Sequence, residues 1–437
     1  MQSVVRRSIG ADPRSISAPW ILTPAIGWLS RKGLSRDFWK FFAAAFCFDF
    51  GIAMFLFLYN LFLLDFGFAE KAIGLIASAM TIGGVVGTIP VGILARSVGL
   101  HRLLFAAFIS VPILFACRAF LVWLPAQIAL SFLSGVCLAL WTVSFSPAAA
   151  KLTDESNRAF AFSLLFSVGI GTGALGGMIG GYLPGWLQAM GASIHAADAK
   201  RFVLLLACLI AALAAWPISR LWLQTEPSGK RSARRFNPFL LRFLPSVALW
   251  SVVIGSFTPF ASVYLARQVR ISLPQVGLAF SASQLAQVVA VLIAPAIFRR
   301  FGMIAGIMYT QLATAAALIA LGSVRGVGLC VTVYLIFTAA QWMSSPGLYS
   351  FLMSSVQEDE RSGASAACIF VTSLSQAFAS ALAGYGYASF GYRLMLPLVG
   401  AIAIAAAFVL RLLLGPSDRP AQLQNKEMTT SIPCHDN

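Results

Sequence analysis

Apolar residues in this chain come in long blocks rather than in alternation. Residues 43–64 read AAAFCFDFGIAMFLFLYNLFLL, apolar around the whole circumference of a helix, and similar blocks recur almost to the C-terminus. A helix rises about 1.5 Å per residue, so about 20 residues cross a hydrocarbon core about 30 Å thick. Twelve blocks reach that length: residues 38–64, 73–95, 103–123, 126–149, 160–183, 200–223, 243–266, 274–298, 303–323, 327–350, 364–388 and 393–414. The connections between them are short except at 184–199 and at 224–242, QTEPSGKRSARRFNPFLLR, which divides the spans six and six. The pattern predicts an all-α polytopic membrane protein with a cytoplasmic N-terminal segment (1–37), a six-helix bundle (38–223), a basic cytoplasmic linker (224–242), a second six-helix bundle (243–414) and a cytoplasmic tail (415–437).

Composition agrees with a lipid solvent: 59% of the residues are hydrophobic and 11% charged, against about 25% charged in soluble domains. Basic residues cluster on alternate connections. Of 31 Lys and Arg, 23 fall on the side of the N-terminus and 7 on the other, with Arg118 inside span 3. Because cationic loops stay on the cytoplasmic side, both termini are expected in the cytoplasm. The same loops facing an anionic leaflet account for the net charge of +16 without nucleic acid. The stretch APWILTPAIGWL at 18–29 carries two prolines and lacks a small-residue cleavage site, so it is expected to be retained at the membrane surface or to be disordered. Cys47, Cys117, Cys137, Cys208, Cys330 and Cys368 fall inside spans without CxxC spacing, and Cys434-His435-Asp436 is too short a cluster for a metal site, so neither disulfide, metal nor cofactor is expected.

A shift of 203 residues superimposes the second half of the chain on the first without a gap from span 2 to span 5. Ile73-Gly74-Leu75 meets Val276-Gly277-Leu278, Arg96 meets Arg299, Gly99 meets Gly302, Glu155 meets Glu358, Arg158 meets Arg361, and Gly181-Tyr182 meets Gly384-Tyr385. Six spans is an even number, so the two copies share one orientation and are related by an axis along the membrane normal.

On these features the chain resembles the major facilitator superfamily over residues 38–414. The family's motif between spans 2 and 3, G-x-x-x-D-x-x-G-x-R-R, stands here as GILARSVGLHR, with Gly92, Gly99 and Arg102 in place and Arg96 at the acid position. Its copy after span 8, PAIFRRFGMIA, keeps Gly302 and again sets Arg299 at the acid position. DESNRAFAF around Arg158 and EDERSGASA around Glu358 and Arg361 match the acid-Arg run that follows spans 4 and 10. Ser131 stands where many proton-linked members carry an Arg in span 4. The resemblance implies a central cavity walled by spans 1, 4, 7 and 10. It also implies a gate in which Arg96 and Arg299 pair with acids across the interface, opposite Glu358-Asp359-Glu360 and Asp154-Glu155.

Candidate cavity residues are Asp49, Asn60, Trp141, Trp250, Gln284, Gln287, Gln341, Trp342 and Gln376. Asp49 is the sharpest of them, since a carboxylate at mid-membrane costs about 2.5–3.5 kcal/mol on insertion scales. A proton or a cationic group on the solute would offset that cost, as would a structural partner on another helix. Arg118 is expected to reach outward to the lipid headgroups. With no P-loop for ATP and three histidines, too few for a membrane-embedded catalytic cluster, the chain is expected not to be an enzyme. It is expected to be a secondary active transporter of a small organic solute, by proton-coupled efflux, acting as a monomer in the bacterial inner membrane. Nutrient uptake by the same fold and a transporter-like sensor are the alternatives.

Overall fold

The computed structural model describes residues 34–154, 158–190, 195–221, 238–357 and 360–415, apart from the side chains of 95, 96, 158–160, 238 and 362. Among the described residues every regular element is helical. Spans 1 to 5 are Arg36–Asp65, Glu70–Ser97, Leu100–Phe120, Leu124–Lys151 and Arg158–Ala189. Span 6 runs Ala196–Ala212 and resumes at Ala215–Ser219; spans 8, 9 and 10 are Leu273–Phe301, Met303–Ser323 and Val327–Ser355. Eleven described helices are long and apolar enough to cross a membrane. The last, Arg361–Leu414, is 54 residues long, about 80 Å if straight, far beyond a bilayer. It is not straight: Gly391 takes φ 71° and ψ 169°, and beyond it Tyr392 stacks back on Tyr387 at 4.4 Å. Residues 361–390 and 392–414 are therefore spans 11 and 12, and the membrane-length helices among the described residues number twelve.

Span 7 departs from regularity. Its α-helix Pro238–Phe257 gives way to a 3-10 turn at Thr258–Phe260, a short α segment at Ala261–Val263 and a π turn at Tyr264–Gln268. Pro259 supplies the local cause, since it has no N–H to give to a continuing helix.

Packing follows the repeat. Span 1 lies against spans 5 and 6, and span 4 joins spans 2 and 3; in the second half span 7 lies against span 11, and span 10 joins spans 8 and 9. Two pseudo-symmetric bundles result, joined mainly through spans 2 and 11 and through spans 5 and 8. The junctions sit at the distal end of the molecule, opposite the end that holds Arg36 and Gly415. Gly173, Gly177, Gly181 and Gly169 form one stripe on span 5 at helical spacing. A methyl group on Gly181 would lie 3.0 Å from Gly277 Cα, and one on Gly177 2.6 Å from the Phe280 ring, whereas Gly169, nearest the proximal end, has nothing within 4 Å. The bundles are thus closed distally and diverge toward the proximal end.

Arg118 corrects an expectation. It is 2% exposed and does not extend to the surface, because three rings of its own bundle hold it: its guanidinium lies 4.1 Å over Tyr59, 5.2 Å over Phe115 and 5.8 Å over Phe55. Tyr59 hydroxyl and Gln127 Oε1 are hydrogen-bonded, and Gln127 Nε2 donates to the Arg118 carbonyl at 2.7 Å. Spans 1, 3 and 4 are clamped together at this point. The six cysteines within the described residues are unpaired.

Candidate functional site

Asp49 and Asn60 lie on the same face of span 1, because 11 residues is close to three helical turns, about 16 Å. Asn60 Nδ2 donates to the Pro259 carbonyl of span 7 at 2.8 Å, across the distal closure. Asp49 therefore faces the opposite bundle too, three turns farther down, where the bundles have separated. Its side chain is half-buried, and it makes no ion pair among the described residues. The indole of Trp141 of span 4 lies beside it. That indole is fixed by Phe41, Phe48, Phe108 and Phe145, with ring centroids 5.0–6.0 Å away. Phe46 and Phe50 stack at 6.0 Å. One carboxylate thus stands beside aromatic rings at the wall of a cleft.

The second bundle contributes uncharged polar groups. Thr258 is exposed in the irregular turn of span 7, and Gln341 Nε2 donates to its hydroxyl at 3.4 Å. Trp342, the next residue of span 10, is 48% exposed. Gln284 lies across the junction with its Cδ 3.2 Å from where a Gly173 methyl group would be, so the glycine makes room for the amide. Gln287 and Gln376 are half-buried. Trp250 is placed differently from the expectation: it is 2% exposed, and its Nε1 has no partner among the described residues. Its bulk fills the core of the second bundle rather than the wall of the cleft.

At the proximal end the motif residues are only partly described. Gly99 and Gly302 cap spans 3 and 9. Gly92 stands in open space, and Arg102 is exposed. Arg299 is exposed and makes no ion pair among the described residues. Arg361 Nε donates to the Met353 carbonyl of its own bundle at 3.1 Å. Glu358 and the side chains of Arg96 and Arg158 lie outside the described residues.

Distally the structure assembles groups that the sequence did not single out. Arg267 Nη1 of span 7 lies 3.1 Å from both carboxylate oxygens of Glu70 in span 2. Lys71 Nζ lies 4.3 Å over the Tyr385 ring of span 11, and Phe57 meets Phe280 at 5.3 Å between span 1 and span 8. The one legible signal was a lone acid at the head of span 2 with basic residues after span 7, and without a fold nothing joined them.

The Major Facilitator Superfamily model matches residues 41–367 and 244–433. No curated protein sequence matches the chain. Among solved structures, the nucleoside transporter NupG is similar with a TM-score of 0.71 at 12% identity, over 87% of this chain and 99% of that one. A bacterial homologue of the iron transporter ferroportin in an inward-facing state gives 0.64 at 15%, over 86% and 98%. The xylose transporter XylE from E. coli in an inward open conformation gives 0.66 at 16%, over 85% and 93%. At such identities the likeness is one of fold.

Proposed function

Because this chain belongs to the major facilitator superfamily and is a membrane transporter, we propose that it moves a small organic solute across the bacterial inner membrane by alternating access, as a proton-coupled exporter. The two bundles, residues 38–223 and 243–414, are the moving bodies, and both termini are cytoplasmic. The distal end is then the outer side, and the conformation described is the inward-facing one.

A single observation carries the choice of solute: Asp49 is the one charged side chain among the proposed cleft residues, it has no basic partner among the described residues, and aromatic rings flank it. A carboxylate with aromatic walls favours a flat or apolar monocation, through charge and through the negative faces of the rings. It disfavours polyanions. A proton and the solute's positive charge would compete for the same carboxylate, which is the simplest way for one acid to couple two fluxes. Gln284, Gln287, Gln341, Trp342 and Gln376 supply the hydrogen-bonding and stacking surface of the opposite wall.

Ethidium, a planar monocation, is a suitable probe in proteoliposomes of the purified protein. The expected result is ethidium flux that rises with an imposed pH gradient and is lost in Asp49→Asn, with the yield and size-exclusion profile of wild type. Gradient-driven flux at the wild-type rate in Asp49→Asn would exclude this role for the carboxylate. Saturable ethidium binding without flux in wild type would make the protein a sensor instead.

A further inference from the structure

The two junctions between the bundles are built from the same parts. Gly74 of span 2 faces Gly384 of span 11, and Gly277 of span 8 faces Gly181 of span 5; a methyl group on Gly74 would lie 3.1 Å from Gly384 Cα, and one on Gly277 3.0 Å from Gly181 Cα. The 203-residue repeat takes the first pair onto the second. Backbone meets backbone at both places, and small residues permit such close approach in a membrane.

Charge breaks the symmetry. Glu70 and Arg267 bridge the bundles beside the span 2–span 11 junction at 3.1 Å, whereas the repeat-related positions are Leu273 and Leu64. At the other junction a neutral tie is made elsewhere along the helices: Ser281 Oγ donates to the Ala174 carbonyl at 2.5 Å. Glu70 is 8% exposed and sits in the first turn of span 2, where the helix dipole favours a carboxylate.

The segment that presents Arg267 is the most irregular in the described chain. Arg267 lies in the π turn Tyr264–Gln268, and three residues later Arg270 holds φ 60°. The repeat has Gly67 at that position, with φ 77°, so the second copy keeps a left-handed turn after losing the residue that adopts it easily. Single π turns and non-glycine left-handed residues tend to be retained at functional sites. The hydroxyls of Tyr387 and Tyr392, stacked at 4.4 Å, are buried there without a hydrogen-bond partner among the described residues. Tyr392 is within electrostatic reach of both Glu70 and Arg267.

We propose that Glu70 and Arg267 form the outer latch of the transport cycle: their ion pair holds the distal ends together at one junction, and outward opening requires its rupture. The glycine contact at the span 5–span 8 junction, with no charge to break, is the pivot about which the other side swings. This rests on the alternating-access reading above and adds residues that act by positioning the two bundles.

A conformational assay tests it without any need for transport. Thr258→Cys, below the closure, serves as the reporter in a chain whose native cysteines are replaced by serine, and intact cells are treated with a membrane-impermeant maleimide. Labelling from outside is expected to be slow with the latch intact and to rise about tenfold in Glu70→Gln and in Arg267→Gln, since a change of that size follows from a modest shift between two conformations. The charge swap Glu70→Arg with Arg267→Glu is expected to restore protection, which a general loss of folding would not. Unchanged labelling in the single variants, or no return of protection in the swap, overturns the latch. If wild type carries no ethidium while this labelling pattern holds, the proposed transport fails and the latch stands.

Discussion

Gly99 and Gly302 hold the same left-handed backbone at equivalent points of the two bundles, with φ 89° and ψ 151° at the first and φ 85° and ψ 161° at the second. Each is the last residue before a span, at the tightest turn of the proximal surface. Positive φ with ψ near 150–160° is essentially glycine-only, and a residue with a Cβ held there is strained by about 1–3 kcal/mol.

Gly99→Ala and Gly302→Ala should therefore each lower the thermal unfolding midpoint of the purified protein in detergent, by an amount corresponding to about 1–3 kcal/mol. Gly92 belongs to the same motif but stands in open space and shows no left-handed φ, so Gly92→Ala should leave the midpoint near wild type. Equal losses at all three positions would mean that the motif glycines act through something other than backbone conformation.

The positions of these glycines were legible in the sequence because the repeat made each a witness for the other. The span limits were legible for a similar reason: in lipid every backbone polar group must be satisfied within its own segment, so apolar length maps directly onto helix. Where side chains meet was much less legible. Arg118 looked like a residue that reaches the headgroups, since nothing in the local sequence places Tyr59, from span 1, beneath its guanidinium. Trp250 looked like a wall residue because span 7 was expected to face the cavity, yet the sequence does not say how the helix is rotated. Glu70 and Arg267 are 197 residues apart, belong to different bundles, and have no counterpart in the repeat. Asp49 was legible because a charge in hydrocarbon is conspicuous whatever surrounds it; its neighbour Trp141 was named only as one of several aromatic residues.

Arg118 offers a test of how a buried cation is tolerated without a carboxylate. No ion pair to it exists among the described residues, its Nε has no partner, and its Nη1 reaches the soft acceptor Met80 Sδ at 3.7 Å. The three rings are then its principal support. A planar, weakly hydrated guanidinium suits such a site, whereas a compact ammonium holds its water more tightly and cannot stack. Arg118→Lys should therefore destabilise the protein by about 1–2 kcal/mol, comparable with a desolvated cation–π contact. Arg118→Met, which keeps length and favourable sulfur-to-ring contacts without a charge to desolvate, should cost less. Thermal unfolding of the two variants in the same detergent decides the order. If the lysine variant matches wild type and the methionine variant does not, charge alone is what the site requires.

Arg96 and Arg299 concern the other end of the cycle. The distal closure leaves the proximal ends apart, and in this state Arg299 is exposed and makes no ion pair among the described residues. We therefore propose that both arginines act when the proximal side closes: Arg96 would then meet Glu358-Asp359-Glu360 at the start of span 11, and Arg299 would meet Asp154-Glu155 at the start of span 5. An exposed pair contributes only about 0–1 kcal/mol, but two of them acting on an equilibrium of a few kcal/mol are enough to change its populations several-fold. Arg96→Glu with Arg299→Glu should raise cytoplasmic labelling of the Thr258→Cys reporter in inside-out vesicles, and the effect should be largest when Glu70→Gln has already released the distal latch. Lysine substitutions at 358 to 360 should bring protection back in the Arg96→Glu background. If labelling is insensitive to the charge at 96 and 299 even with the distal latch released, these arginines only hold the loops on the cytoplasmic side, and proximal closure is made by the helices themselves.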